Sequence, residues 1–258
     1  MSPLVVAANE EFVPPSSRDF ELPGLFGSVV TKPILLLLLS AVLIAVFFYL
    51  AARRAALVPC RLQFAGEEVY GFVRNSVARD IIGNDFLRYV PYLVTLFTFI
   101  LVNNLFGIVP LLQFPTMSRF GFPVVLAVLS WLVFNFIGVR RKGLVSYLKE
   151  TMFPPGLPWP VYFLIAPIEL ATILITRPLT LALRLFANMF AGHLLLLVFI
   201  LGGAHLLSSG GLLAAFSPFA FLLAIVLTFF EALIEVLQAY IFVLLTALYI
   251  AGALADEH

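Results

Sequence analysis

The hydrophobic positions of this chain form long runs, and the polar positions are collected between them. Residues 33–52 carry no charge and are long enough to cross a hydrocarbon core of ~30 Å, which takes a helix of ~20 residues. The same criterion predicts four further membrane helices, at residues 89–111, 120–139, 163–201 and 212–254. We therefore predict an all-α polytopic membrane protein with about five spanning helices, forming a single membrane domain over residues 1–258.

The last two predicted helices are longer than a perpendicular crossing requires. At ~1.5 Å per residue, each would extend for about 60 Å. We expect both to be tilted, with kinks in the first of them at Pro167 and Pro178. A shorter stretch after the first span, "GEEVYGFVRNSVARDII", mixes apolar and charged positions and predicts an amphipathic helix lying in the membrane interface.

Composition supports the membrane assignment and excludes other classes of protein. Hydrophobic residues make up 62% of the chain and charged residues 11%, whereas a soluble domain carries roughly 25% charged residues. The net charge of +1 gives no bulk basic character that would indicate a nucleic-acid partner. Cys60 is the only cysteine, which excludes an intrachain disulfide and a cysteine-based zinc site.

The distribution of basic residues predicts the orientation. Segments 53–88 and 140–149 hold six and four lysines or arginines, whereas the N-terminal segment and the loops 111–121 and 202–211 hold only Arg18, Lys32 and Arg119. Because basic loops stay on the cytoplasmic side, we expect the N-terminal segment 1–32 outside and the C-terminus inside.

Polar side chains at membrane depth are concentrated in the last two helices. Such groups cost from ~2.5 to more than 10 kcal/mol when charged, and they usually serve a function. One helix carries Arg184, Asn188 and His193, and the other carries Glu231, Glu235 and Gln238 at spacings i, i+4, i+7, which form one stripe.

The two helices run antiparallel, so their residues can be compared by depth. If Arg184 and Gln238 share a level, His193 lies ~13 Å and Glu231 ~10 Å further outward. His193 and Glu231 should therefore lie near the same depth. Ideal geometry nevertheless places His193 on the face of its helix opposite Arg184.

These residue types suit proton transfer. Carboxylates and imidazole exchange protons near neutral pH once their environment shifts them. Arginine does not lose its proton, so Arg184 can act as an electrostatic barrier and as a partner for an ionised carboxylate, but not as a relay.

Two long motifs carry a family resemblance. "PIELATILITRPLTLALRLFANMFAGHLLLLVF" and "LIEVLQAYIFVLLTALYI" closely resemble subunit a of the F-type ATP synthase, and "NNLFGIVP" looks like an earlier helix of the same family. The resemblance implies that Arg184 is the essential arginine facing the carboxylate of the c-ring. It implies outer half-channel roles for Asn188, His193 and Glu231, and makes Glu169 the inner half-channel acid. Gln238 matches the half-channel glutamine that packs near the arginine. Glu235 departs from the family pattern, and its role is open.

The resemblance implies a proton-translocating stator subunit with two offset half-channels separated by Arg184. The role implied by the resemblance involves no ATP chemistry, metal or cofactor in this chain. The implied partners are the c-ring, the peripheral stalk subunit b, the rest of the FoF1 complex and membrane lipid, in a bacterial plasma membrane. Another chain determines whether the transported ion is a proton or sodium, and it also determines the size of the c-ring.

Alternative functions are a secondary transporter or an ion-channel subunit. A transporter should show paired halves, whereas the intramembrane charges here are confined to the C-terminal third. A membrane hydrolase would need a nucleophile–base pair or a metal motif, and the three histidines have no such spacing. For Arg177, snorkelling to the interface and a functional role are both open, and Asn103 and Asn104 are expected to join helices.

Overall fold

A computed structural model describes residues 32–53, 56–109, 116–153 and 159–255 of the chain. Over these residues the secondary structure is helical and no strand occurs. The helices are α1 (Lys32–Arg53), α2 (Arg61–Phe72), α3 (Asp80–Ile82), α4 (Val90–Leu105), α5 (Gly121–Lys142), α6 (Leu144–Met152), α7 (Trp159–Ala171), α8 (Arg177–Ser209), α9 (Gly211–Ala214) and α10 (Ser217–Leu254). The predicted extracytoplasmic segment up to residue 31, and the end of the predicted span 89–111, lie outside the described residues.

Within the described residues, four helical stretches are long and apolar enough to cross a membrane. They are Lys32–Arg53, Gly121–Lys142, Val161–Ser209 with 49 residues and Gly211–Leu254 with 44 residues, and the 16-residue α4 is a shorter apolar helix. Five apolar helical stretches, the last two much longer than a bilayer is thick, confirm the predicted all-α polytopic membrane fold.

The long helical stretch that ends at Ser209 contains a π-helical turn, Thr172–Thr176, which joins α7 to α8. Pro178 follows this turn and has no backbone N–H to donate to the carbonyl of Ile173, five residues earlier. The indole Nε1 of Trp131 on α5 donates a 2.7 Å hydrogen bond to that carbonyl instead. The helix therefore continues through the proline because a side chain of a neighbouring helix satisfies the freed backbone group.

The centre of the bundle is built on α8 and α10, which pack most extensively against each other. Helix α5 packs against both of them, α4 packs against α10, and α1 lies outside against α4 and α2. The segment from α2 through α3 is amphipathic as predicted: Val73, Val77 and Ala78 are buried while Arg74 and Arg79 are exposed.

Both basic segments lie at the same end of the bundle. Arg141 at the end of α5 forms a 3.0 Å ion pair with Asp85, which precedes α4. The neighbouring Lys142 donates a hydrogen bond to the carbonyl of Ala255, directly after α10. The C-terminal end of α10 is thus at this basic end.

Candidate functional site

His193 and Glu231 form the central contact between α8 and α10. Their Nδ1 and Oε1 atoms are 2.6 Å apart, and only 8% of His193 and 5% of Glu231 is exposed. The contact agrees with the depth register expected from the sequence. The two atoms meet the distance of an ion pair but not the angular requirements of a hydrogen bond. The imidazole and the carboxylate are therefore in close proximity without a fixed donor–acceptor alignment.

Two glycines make room for this pair. A Cβ atom at Gly107, just after α4, would lie 2.5 Å from both Cε1 and Nε2 of His193. A Cβ atom at Gly192 would lie 2.6 Å from Oε1 of Glu231. Real Cβ atoms do not approach other atoms this closely, so both positions require glycine for the pair to occupy its observed place.

Glu235 lies one helical turn from Glu231 and is only 3% exposed. One ligand atom from each of His193, Glu231 and Glu235 lies within 4.8 Å of the others, so these three could hold a single metal ion as well as exchange protons. Neither carboxylate oxygen of Glu235 has a hydrogen-bond partner among the described residues. Three titratable groups therefore share one buried site with unused lone pairs.

A cleft of about 240 Å³ leads from this site along the α8–α10 interface; we call it the Glu231 cleft. Its polar lining comes from Glu231, Glu235, Asn188, Gln238 and Asn104. Asn188 Nδ2 donates a 2.7 Å hydrogen bond to Oε1 of Gln238, which connects the two helices at the deeper end of the cleft.

Arg184 is half-buried and lies one turn beyond Asn188 on α8. Within the described part of the chain, its guanidinium makes no hydrogen bond or ion pair. Leu181 and Leu185, on either side of it, are each 1% exposed. A permanent cation thus lies among apolar residues with no anionic partner in the parts of this chain that the structure describes.

A second polar cleft, of about 250 Å³, lies near the basic end of the bundle; we call it the Glu169 cleft. Its charged lining residues are Glu169, Arg177, Lys142 and Glu150. Nζ of Lys142 is 2.6 Å from Oε2 of Glu150, and the guanidinium of Arg177 lies 5.1 Å from the centre of the Tyr249 ring. The cationic groups here have partners, in contrast to Arg184.

Tyr147 also lines the Glu169 cleft, on α6 outside the long apolar helices. Burial raises the pKa of its phenol, an effect larger than the opposing influence of Arg177. Its hydroxyl donates a 3.1 Å hydrogen bond to Oδ1 of Asn135. Tyr147 therefore stays neutral near pH 7 and contributes a fixed dipole rather than a proton.

An apolar layer separates the two clefts. Between Gln238 and Gly252, α10 buries mainly apolar side chains against α4, α5 and α8, and the most deeply buried are Ala239, Phe242, Val243, Ala247 and Ile250. Thr246, also fully buried, donates its hydroxyl to the carbonyl of Phe242 in its own helix. At ~1.5 Å per residue, the two clefts are offset by about 20 Å along α10. No polar cleft residue lies within that part of α10.

The structure brings together most of the residues singled out from the sequence. His193, Glu231 and Glu235 form one cluster, Asn188 and Gln238 form a bonded pair below it, and Glu169 lies apart in the other cleft. His193 faces α10 and Gly107, which accords with its position on the side of α8 opposite Arg184.

Sequence reasoning missed the contribution of the α4 end to the site. Asn103 is a helix-joining residue, because its Nδ2 donates to Ser40 Oγ on α1. Asn104, by contrast, lines the Glu231 cleft: its Nδ2 donates to the backbone carbonyl of Glu235, and its Oδ1 has no hydrogen-bond partner in the described residues. The sequence does show an amide side chain in an apolar helix, two residues before "FG". Spacing alone does not tell whether that side chain points toward α1 or toward α10.

Comparisons with known proteins identify one family. The family model described as ATP synthase A chain matches residues 34–251. Three similar proteins, each described as ATP synthase subunit a, are 50% identical in Nocardioides sp., 45% in Frankia alni and 48% in Pseudarthrobacter chlorophenolicus. The alignments cover 98%, 98% and 96% of this chain and 96%, 90% and 96% of those proteins. The chain therefore belongs to the ATP synthase subunit a family and is a multi-pass component of the membrane sector of that complex.

Proposed function

We propose that the chain is the proton-conducting stator subunit of its complex, with the Glu231 cleft and the Glu169 cleft as two offset half-channels separated by Arg184. One observation carries this proposal. Two clefts that contain titratable side chains lie at different levels of the bundle, one beside the middle of α8 and α10 and one at the C-terminal end of α10, and a closely packed layer lies between them. Among the described residues, neither cleft extends into this layer, so we infer that a proton entering one cleft reaches the other on a carrier outside the chain.

The residues of the Glu231 cleft act in sequence as a proton entry path. His193, Glu231 and Glu235 are close enough to exchange a proton with one another or through one water molecule. The 2.6 Å contact between His193 Nδ1 and Glu231 Oε1 provides the first of these exchanges. The Asn188–Gln238 pair is neutral, so it orients water toward Arg184 without trapping the proton.

Arg184 controls what happens at the end of that path. It cannot give up its proton, so it blocks hydronium from passing directly between the clefts. It also stabilises an ionised carboxylate that approaches it, by about 4 kcal/mol for unit charges ~4 Å apart at an effective dielectric of ~20. That carboxylate belongs to the c-ring, because no carboxylate in the described part of this chain pairs with Arg184.

The ring carries the proton from one cleft to the other. A ring carboxylate protonated at the Glu231 cleft is neutral and can enter the lipid as the ring turns, whereas an ionised one cannot. On its return it meets the Glu169 cleft and releases the proton there. A membrane potential of ~100 mV supplies ~2.3 kcal/mol per proton to this cycle. Subunit b and the rest of the FoF1 complex hold the chain still while the ring rotates.

The orientation follows from the basic end of the bundle. Arg141, Lys142 and the end of α10 lie at that end, together with the Glu169 cleft. The positive-inside rule assigns it to the cytoplasm of a bacterial plasma membrane. The Glu231 cleft then opens toward the outside, the N-terminus is outside and the C-terminus is inside.

The test compares two arginines on one helix. In membrane vesicles that contain the assembled complex, Arg184→Ala should reduce proton-driven ATP synthesis to background, because the ring carboxylate loses its counter-charge. Arg177→Ala, seven residues earlier, removes a cation that lines the Glu169 cleft and lies over Tyr249, and should lower the synthesis by no more than about fivefold, the effect expected for other changes in that cleft. ATP hydrolysis by the peripheral sector verifies assembly in both variants.

Wild-type coupling in Arg184→Ala would refute the role assigned to this residue. A different function would appear as proton conduction by the purified chain in the absence of the ring. That result would favour a self-contained channel or transporter over a stator subunit.

A further inference from the structure

A third cleft lies at the basic end of the bundle, and the proton path does not use it. It has a volume of about 400 Å³ and lies between the segment before α4, the end of α5 and the end of α10. We call it the basic cleft, and the lining residues that matter here are Asp85, Arg88, Tyr89, Phe136, Arg140 and Arg141. Three arginines and one aspartate give it an excess of two positive charges.

The arginines of the basic cleft are not equivalent. Arg141 forms the 3.0 Å ion pair with Asp85, so the one carboxylate of the lining is already engaged. Arg88 and Arg140 are exposed, and neither forms a hydrogen bond or an ion pair with another residue in the described ranges. Two guanidinium groups therefore face the same cleft with their donors available, an arrangement suited to a phosphate group.

An apolar stripe on α5 leads to this cleft. Its residues lie at spacings of four, three and four along the helix and are 64%, 46%, 54% and 63% exposed: Val125, Leu129, Leu132 and Phe136. Arg140 continues the same spacing by four residues, so it lies on the same face of the helix. The opposite face, with Ala127 and Phe134 fully buried, packs against the bundle. The stripe therefore faces away from the protein and ends at a guanidinium group.

We propose that the basic cleft binds the phosphate headgroup of an anionic phospholipid whose acyl chain lies along the α5 stripe. The charge of the cleft selects a negatively charged headgroup, and basic pockets between membrane helices at the positive end of a bundle have this preference. The adjoining apolar stripe selects a ligand with a hydrocarbon chain, which a free phosphate ion lacks. Tyr89, in the lining, places an aromatic ring at the level of the headgroups. The site is independent of the proton route and rests only on the insertion of the chain in a membrane.

The test uses photoreactive lipids on the assembled complex in vesicles. A phosphatidylglycerol probe with a photoreactive group on its acyl chain should label the α5 peptide that contains Leu132 and Phe136. A phosphatidylcholine probe of the same chain length should label that peptide much less. Because this comparison uses the wild-type complex, it does not depend on the folding of any variant.

Two double variants separate the effect of the cleft arginines on lipid labelling from the effect of a lower overall positive charge. Arg88→Gln combined with Arg140→Gln should lower phosphatidylglycerol labelling of α5 by at least about tenfold. Arg53→Gln combined with Arg61→Gln removes the same charge from exposed positions that do not line the cleft, and should change labelling less than about twofold.

Three results would overturn the proposal. Equal labelling by the two lipid probes would show that the headgroup is not selected. Complete displacement of the lipid by inorganic phosphate at millimolar concentration would assign the cleft to free phosphate. Absence of labelling of the α5 peptide by both probes would show that lipid does not cover the stripe and would make this face a protein interface.

Discussion

The Glu231 cleft and the Glu169 cleft contain similar residue types, but their titratable and charged side chains differ in burial and in pairing. In the Glu231 cleft, the two carboxylates Glu231 and Glu235 are at most 5% exposed, and His193, 8% exposed, lies against Glu231 just outside the lining. In the Glu169 cleft, Lys142 pairs with Glu150 and Arg177 lies over an aromatic ring. One cleft is buried with unsatisfied groups, and the other is partly solvated with compensated charges.

The difference indicates where the sequence is constrained by function rather than by stability. A buried polar group without a partner costs about 1–3 kcal/mol, and the cost is larger when it is charged. A protein selected only for stability would replace His193, Glu231 and Glu235 with apolar residues. Their retention in an otherwise apolar interface is explained if the groups must remain free to accept and release protons.

The largest effect within this comparison should come from the buried pair. His193→Ala combined with Glu231→Gln removes both proton-exchanging partners of the central contact and leaves Glu235 alone. Proton uptake should slow by roughly a hundredfold, as expected for the loss of general acid–base groups. Proton flux through the assembled complex in vesicles measures this. Unchanged flux would show that the entry path lies elsewhere.

A smaller effect should follow from filling the space beside the imidazole. In Gly107→Ala, the new Cβ would lie 2.5 Å from His193 Cε1 and Nε2, so the ring must move away from its place beside Glu231. Overpacking of this kind costs about 1–3 kcal/mol of folding stability, and displacement of the imidazole from Glu231 should lower proton flux by roughly tenfold, less than removal of both groups. Gly121→Ala is the matched control, because no atom lies within 4 Å of its Cβ position. Equal flux in the two variants would remove Gly107 from the site.

The smallest of these effects should occur in the Glu169 cleft. Glu169→Gln removes one proton acceptor, but Glu150 and the surrounding solvent remain available in the same cleft. Proton release should slow by only about two- to fivefold, as measured by ATP synthesis at a fixed proton-motive force. A loss as large as that of the His193 and Glu231 double variant would mean that the two clefts do not differ as described.

Much of the fold could be predicted from the sequence, because the hydrocarbon core imposes a length and a polarity on each spanning helix. The overlong last two helices and the amphipathic segment after α1 follow from the same rule. The helix was expected to continue through Pro178 with a kink, but the hydrogen bond that supports it there could not be predicted, because its donor, Trp131, lies 42 positions before the acceptor Ile173.

The candidate site was predictable to the same degree. Residues at regular spacing on two antiparallel helices can be matched by depth, and the contact between His193 and Glu231 agrees with that register. The roles of Asn104 and Gly107 depend on which side of α10 the end of α4 packs against, and this is decided by tertiary packing. The absence of a side chain at Gly107 carries no chemical signal in the sequence.

The central claim is that the two clefts open to opposite sides of the membrane and are not continuous. Single cysteines at Ala191, which is exposed and lines the Glu231 cleft, and at Gly252, which lines the Glu169 cleft with free space around its Cβ position, test it in a Cys60→Ser background. In oriented vesicles with the assembled complex, a membrane-impermeant thiol reagent should label Ala191→Cys only from the outside and Gly252→Cys only from the cytoplasmic side. Labelling of both cysteines from the same side would contradict the account.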